Sequence, residues 1–294
     1  MPTLVSNVST WGAMIKFSHS VFALPFAVLA AFLAARPERP TVTQLLLVIV
    51  CMITARGAAM TFNRLVDQKI DAGNPRTSNR PLATGRITRS AAWAFFFAAC
   101  GLFALGCAGF WLLTANPWPL LLCGPVLALR CFYSYTKYFT RWSHLVLGAA
   151  IATSPIAAWI AINPATLGLH SWLLMLAVMF WIAGFDLIYA CQDVEFDRRA
   201  GLNSVPAAMG VPAALWLARG FHLLTVALLT AVGLTNGLGG LYYTGVACVA
   251  ILLTIENAIV NPSDLSRVNL AFFTVNGVVG LVLGALGVLD IVLR

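Results

Sequence analysis

Charge is scarce in this chain. Asp, Glu, Lys and Arg make up only 10% of its 294 residues, while 60% are hydrophobic. A soluble domain carries roughly 25% charged residues. So little charge cannot cover a water-facing surface, which excludes a soluble globular protein and leaves an integral membrane protein. The mean hydropathy of +0.87 agrees. Paired cysteines are lacking too. Cys51, Cys100, Cys107, Cys123, Cys131, Cys191 and Cys248 sit mostly in apolar runs, and no Cys-x-x-Cys occurs. They read as small apolar residues in helices, not as disulfides or metal ligands. No polar cleavage region follows the first apolar run, which passes Phe32 unbroken, so it reads as a retained helix. The net charge of +8 needs no nucleic acid, because membrane topology explains it.

What is there is a series of apolar stretches of about 20 residues, the length that crosses hydrocarbon. They run over 14–35, 43–66, 90–114, 119–137, 142–162, 170–191, 211–234, 239–259 and 269–292. Lipid leaves no unpaired backbone, so these spans are helices. The expectation is an all-α membrane protein of one domain, 1–294, with nine transmembrane helices bundled around a central cavity. Trp11, Trp118 and Trp142 near span ends fit an interfacial belt. Lys69, Arg76, Arg80, Arg86 and Arg89 crowd the connection 67–89; Lys137, Arg141, Arg198, Arg199 and Arg267 follow on alternate connections. The opposite side has Arg36, Arg39 and Arg294. The positive-inside rule makes the first set cytoplasmic, which puts the N-terminus inside and the C-terminus outside a cell (inner) membrane. The two long polar connections, 67–89 and 192–210, become cytoplasmic caps and the first place to look for function.

The sharpest motif lies at the first cap. Asn63, Asp67 and Asp71 recur every four residues, which places three oxygen-bearing side chains on one helix face. Asp193 and Asp197 repeat the spacing at the second cap, and Asp186 falls on the same stripe one layer deeper. Glu195 points elsewhere and reads as solvated or salt-bridged. Carboxylates sharing a face near lipid repel one another unless something compensates. Mg²⁺ fits, because it takes one or two carboxylates and completes its shell with phosphate oxygens and water. The metal set is therefore Asn63, Asp67, Asp71, Asp193 and Asp197, and the expected ligand is an anionic lipid diphosphate held through Mg²⁺. Similar residues follow both motifs, Ala72-Gly73-Asn74 and Ala200-Gly201-Leu202-Asn203, which suggests a parallel internal repeat of four helices.

Cations surround these motifs. Arg76, Arg80 and Arg86 lie in the first cap and Arg198 follows the second motif, and guanidinium forks match phosphate oxygens. Tyr133 and Lys137, four apart, close the fourth span. Lys137 can pair with phosphate, and the Tyr133 ring can face a developing cation, though interfacial anchoring explains the pair as well. Ionisable residues within spans are functional candidates. Here they are Lys16, His19, Arg56, Arg130, Asp186 and Arg219. Lys16 and His19 can also snorkel or cap the first helix. Arg56, two turns before Asn63, can hold a substrate carboxylate or pair structurally with an acid such as Asp186.

These residues resemble the UbiA superfamily of intramembrane aromatic prenyltransferases. The resemblance covers almost the whole chain and rests on Asn63-x-x-x-Asp67-x-x-x-Asp71, Tyr133-x-x-x-Lys137 and Asp193-x-x-x-Asp197. The run from Lys16 to Phe26 and Tyr189-Ala190-Cys191-Gln192-Asp193 look like the 4-hydroxybenzoate polyprenyltransferase branch. That branch also includes enzymes acting on a dihydroxynaphthoate for menaquinone, and the resemblance does not separate the acceptors. It implies an active enzyme that moves a polyprenyl group from polyprenyl diphosphate to an aromatic acid in quinone biosynthesis, with Mg²⁺ as cofactor and the bilayer as a partner. It makes Asn63, Asp67, Asp71, Asp193 and Asp197 the Mg²⁺-diphosphate ligands and Tyr133 and Lys137 a functional pair. The residues expected in catalysis are then Asp67, Asp193, Tyr133, Lys137 and Asp186. Those expected to bind substrate are Arg56, Asn63, Arg76, Arg80, Lys137 and Arg198. Two other readings are weaker. A transporter needs polar groups through both membrane halves, and the outer half has almost none. A haem or chlorophyll scaffold needs paired ligands, which His19, His144, His170 and His222 do not supply.

Overall fold

The computed structural model describes residues 10–12, 14–15 and 20–294, and these are helical almost throughout. Lys16 and His19 lie outside the described residues. In chain order the helices are α1 (Ser20–Ala35), α2 (Val42–Gly73), α3 (Arg89–Thr114), α4 (Trp118–Thr136), α5 (Ser143–Ile162) and α6 (Leu169–Ala190). There follow α7 (Val194–Ala200), α8 (Val205–Met209), α9 (Val211–Thr235) and α10 (Gly240–Ile259). The last is α11 (Val268–Leu293). Among the described residues seven helices are long and apolar enough to cross a membrane: α2, α3, α5, α6 carried on to Ala200, α9, α10 and α11. Of the other two expected spans, α1 counts 16 residues among the described ones, and the expected span begins before them. The remaining one, α4, is diluted by Arg130 and a Ser-Tyr-Thr end. Among the described residues seven spans therefore stand on length and composition, against nine expected for the chain.

Local chemistry sets the ends of these rods. Thr41 and Gln44 form a reciprocal cap at the start of α2: the Gln44 N–H donates to Thr41 Oγ1 (3.2 Å), and the Thr41 N–H donates to Gln44 Oε1 (2.9 Å). Thr88 caps α3 by accepting from the Ala91 N–H at 3.2 Å. Two boundaries differ from expectation. α2 does not stop at 66 but continues to Gly73, because no breaker occurs until Gly73-Asn74-Pro75 and the polar extension pairs its own charges. The second cap is no loop: after α6 a 3-10 turn at Cys191–Asp193 leads into α7 and then α8.

The chain divides into two compact units: residues 1–20 with 49–135, and residues 21–48 with 136–294. In the first, Ala55, Phe103 and Cys107 pack with Cys51 and Cys123, and Ala58, Phe96 and Ala99 pack with Phe62 and Cys131. The cysteines thus serve as small packing residues. All seven are free thiols.

In the second unit α6 packs against both α5 and α9, and α10 packs against α9 and α11. Small residues allow the close approach. A Cβ at Gly148 of α5 would overlap the Met179 carbonyl of α6, and one at Gly184 of α6 would overlap the His222 ring of α9. A buried polar network crosses this unit. The Trp181 Nε1–H donates to Asn276 Oδ1 (2.7 Å), and the Asn276 amide donates to Glu256 Oε1 (2.8 Å) and the Ala271 carbonyl (3.1 Å). Asn276 comes directly after a π-helical turn, Ala271–Val275, inside α11. At the other end of the unit Arg36, Arg39 and Arg294 donate to the carbonyls of Asn236, Val292 and Gly237. Their charge meets the negative ends of α9 and α11.

Candidate functional site

The first motif rides on one unbroken helix. Asn63, Asp67 and Asp71 all lie within α2, as their spacing requires. Asp67 and Asp71 are only 4% and 5% exposed, so their charge needs compensation on the spot. For Asp71 that compensation is visible: Arg80 reaches its Oδ1 at 2.5 Å, and Arg64, two turns earlier, lies 3.9 Å from its Oδ2. The Asn63 amide donates to Ser134 Oγ of α4 at 3.4 Å, which leaves its Oδ1 as the acceptor.

The connection after α2 is ordered. Asn74 Oδ1 accepts from the Arg76 N–H at 2.9 Å, Thr77 Oγ1 donates to the Asp71 carbonyl at 3.1 Å, and Arg86 donates to the Asn79 carbonyl. Arg80 therefore serves a carboxylate and Arg86 the loop itself, while the Arg76 side chain stays exposed.

Deeper in the same unit Arg56 is within electrostatic range of Arg130 and Arg64. Its Nε is buried and makes no hydrogen bond. Three guanidiniums so close repel one another, and an anion among them would relieve that.

The second motif rides on a broken helix. α6 ends at Ala190, and Asp193 sits at the close of the 3-10 turn with φ −103° and ψ 3°. A shared stripe from Asp186 to Asp193 requires one continuous α-helix; the tighter turn rotates Asp193 away from that register. Gly201, at φ +66°, ends α7 where a side chain would be strained.

Three consecutive residues then bind back onto the site. Asn203 donates to the Lys137 carbonyl from its backbone N–H (2.7 Å) and from its amide (3.2 Å). Ser204 Oγ donates to Asp197 Oδ2 at 2.8 Å and accepts from the Ala207 N–H at 3.3 Å. The Val205 N–H donates to His144 Nε2 at 3.4 Å, and His144 Nδ1 lies 2.7 Å from Asp186 Oδ2. Because Nε2 accepts, Nδ1 carries the proton and donates it to Asp186. The partner of Asp186 is thus His144, where its sequence position also allowed Arg56.

His144 and Ser204 are absent from the sequence-based set. Ser204 had a signal, an N-cap serine two residues before Pro206. His144 had none, since only the fold brings it to Asp186.

The remaining candidates divide. Arg198 donates to the Ala207 carbonyl at 3.0 Å and lies 3.7 Å from Glu195, the exposed pair expected of Glu195. Tyr133 is half-buried on α4. Lys137 follows the last residue of α4, in a turn.

No group of three His, Cys, Asp or Glu side chains that could hold a metal occurs among the described residues. The donors present are still hard oxygens, Asp67 with Asn63 Oδ1 and Asp193 with Asp197. That suits Mg²⁺, which takes few protein ligands and fills its shell with phosphate and water.

Long apolar helices, with an Asn/Asp row whose carboxylates are buried on one of them and arginines around it, define a polytopic membrane protein. The chain belongs to the UbiA prenyltransferase family, which it matches over residues 23–278. It is a multi-pass membrane enzyme of that prenyl-transferring class. It is 33% identical to the 4-hydroxybenzoate octaprenyltransferase of Chromohalobacter salexigens over 233 residues, which cover 79% of this chain and 75% of that one. A UbiA homologue from Aeropyrum pernix K1 superposes with a TM-score of 0.82 at 33% identity, covering 92% of this chain and 98% of that one. A UbiA homologue from Archaeoglobus fulgidus, bound to GPP and Mg²⁺, shares the fold with a TM-score of 0.72 at 21% identity, covering 96% and 99%.

Proposed function

We propose that this chain transfers a polyprenyl group from polyprenyl diphosphate to the ring of 4-hydroxybenzoate, in the inner membrane with its site facing the cytoplasm. The observation that carries this reading is α2 itself. Within a few turns the helix offers an unbonded buried guanidinium edge at Arg56 and buried carboxylates at Asp67 and Asp71. An acid-bearing acceptor and a metal-bound diphosphate need those two chemistries. The names of the relatives support both.

Asn63, Asp67, Asp71, Asp193 and Asp197 would hold Mg²⁺. Bound there, Mg²⁺ supplies charge neutralisation for the diphosphate and stabilises it as a leaving group. Arg76, Arg80, Arg198 and Lys137 add cationic donors for its oxygens. The allylic C–O bond breaks with its electron pair leaving on the diphosphate, and the Tyr133 ring stabilises the allylic cation. Arg56, with Arg130 beside it, orients the acceptor through its carboxylate. The ring carbon next to the hydroxyl attacks, and Asp186, oriented by His144, takes the ring proton.

The test supplies membranes with an allylic diphosphate, Mg²⁺ and either 4-hydroxybenzoate or a dihydroxynaphthoate in parallel. Prenylated 4-hydroxybenzoate is expected. Product from the naphthoate alone would move the chain to menaquinone synthesis. Asp67→Ala and Asp193→Ala should each lower turnover at least about 10³-fold while the protein still inserts; full activity in both would sink the mechanism.

A further inference from the structure

A groove of about 460 Å³ lies between α9 and α10, away from both acidic motifs in sequence. Arg219, His222, Leu223, Thr254 and Asn257 line it. Arg219 follows the start of α9 by eight residues, about 12 Å along the axis. That depth suits a long cationic side chain reaching for the interface. Its guanidinium lies 4.5 Å from the centroid of the Trp216 ring, which is 69% exposed, and it makes no ion pair with any carboxylate among the described residues.

Thr254 and the Asn257 amide have their protons engaged already, and the His222 Nε2 makes no hydrogen bond and lies against Gly184 of α6. Thr254 Oγ1 donates to the Ala250 carbonyl at 2.8 Å. The Asn257 amide donates to the Leu253 carbonyl and to His222 Nδ1, both at 2.7 Å. His222 is buried at 3% exposure, so this pairing is fixed. The groove therefore presents one strong cation and, beside it, two acceptors: the Asn257 Oδ1 and the Thr254 hydroxyl oxygen. Its complement is an anion that carries its own hydrogen-bond donor.

We propose that this groove is a binding site for a membrane phospholipid whose headgroup joins a phosphate to a hydroxyl or ammonium donor. The phosphate sits on Arg219, the donor reaches Asn257 and Thr254, and the acyl chains run along the exposed Leu223 and its apolar neighbours. A basic recess between helices near a membrane interface is the setting in which headgroups are recognised. Phosphatidylglycerol and phosphatidylethanolamine carry both features. Phosphatidylcholine carries the phosphate but no donor.

The experiment is native mass spectrometry of the full chain, delipidated in mild detergent and titrated with each of the three lipids. One bound phosphatidylglycerol or phosphatidylethanolamine is expected per chain, held about tenfold more tightly than phosphatidylcholine. Arg219→Ala, which removes the phosphate's partner, should weaken all three lipids about tenfold while keeping prenyl transfer, which shows the variant is folded. Thr254→Val, isosteric but without the acceptor, should weaken phosphatidylglycerol several-fold and leave phosphatidylcholine unchanged. Equal retention of all three lipids, or undiminished phosphatidylglycerol binding in Arg219→Ala, would overturn the proposal.

Discussion

The two acidic motifs share a spacing but not a backbone. Asn63, Asp67 and Asp71 are set by one continuous helix, and the last carboxylate is locked by Arg80 and Arg64. Asp193 and Asp197 straddle a helix break, and Asp197 is steadied by a neutral hydroxyl, Ser204. The difference teaches what each carboxylate has left to give. Asp71 has part of its charge answered within the protein, whereas the Ser204 hydroxyl orients Asp197 without neutralising it. The first motif is rigid through helix and ion pairs; the second depends on the strap Asn203-Ser204-Val205.

That contrast can be broken by substitution. The largest effect on stability is expected at Arg80. Arg80→Ala leaves Asp71 buried with only the longer Arg64 contact and should cost about 3 kcal/mol, read as a fall in unfolding temperature of detergent-purified protein. Asp186→Asn keeps an acceptor for His144 Nδ1 but removes the base. It should lower kcat about 100-fold with little change in unfolding temperature; a stability loss with unchanged kcat would make the pair purely structural. Ser204→Ala should cost about 1 kcal/mol and raise the Mg²⁺ concentration for half-maximal activity several-fold, with Ser204→Thr restoring it. If the Mg²⁺ requirement does not move, the strap holds the fold and not the carboxylate. Smallest is Glu195→Ala, an exposed pair with Arg198, which should change stability by less than about 0.5 kcal/mol and leave activity alone.

Much of this was legible in the residues. Apolar length marked the rods, and four-residue spacing marked the face of α2, because both are local properties of a helix. Gly73-Asn74-Pro75 even wrote the true end of α2, though polarity after Val66 disguised it as a loop. The hidden part depended on partners distant in sequence. Nothing near Asp186 announces His144, 42 residues earlier. The strap's four bonds to Lys137, Asp197 and His144 likewise exist only once these distant segments are assembled. The outer arginines were read as topology signals; their donation to backbone carbonyls needed the folded helix ends.

The π-turn at Ala271–Val275 works as a phase shift. Each residue added to a helix rotates the rest of that helix by about 100°. One residue of slack, absorbed in a wide turn, therefore resets the azimuth of everything from Asn276 onward. With that slack, Asn276 faces Trp181 and Glu256. Without it, the same side chain would swing past both and leave a carboxyl group and an indole N–H stranded in the interior. Deleting a single residue within 271–275 should therefore do more harm than substituting any one of them, because it rewrites the angular address of the whole last helix.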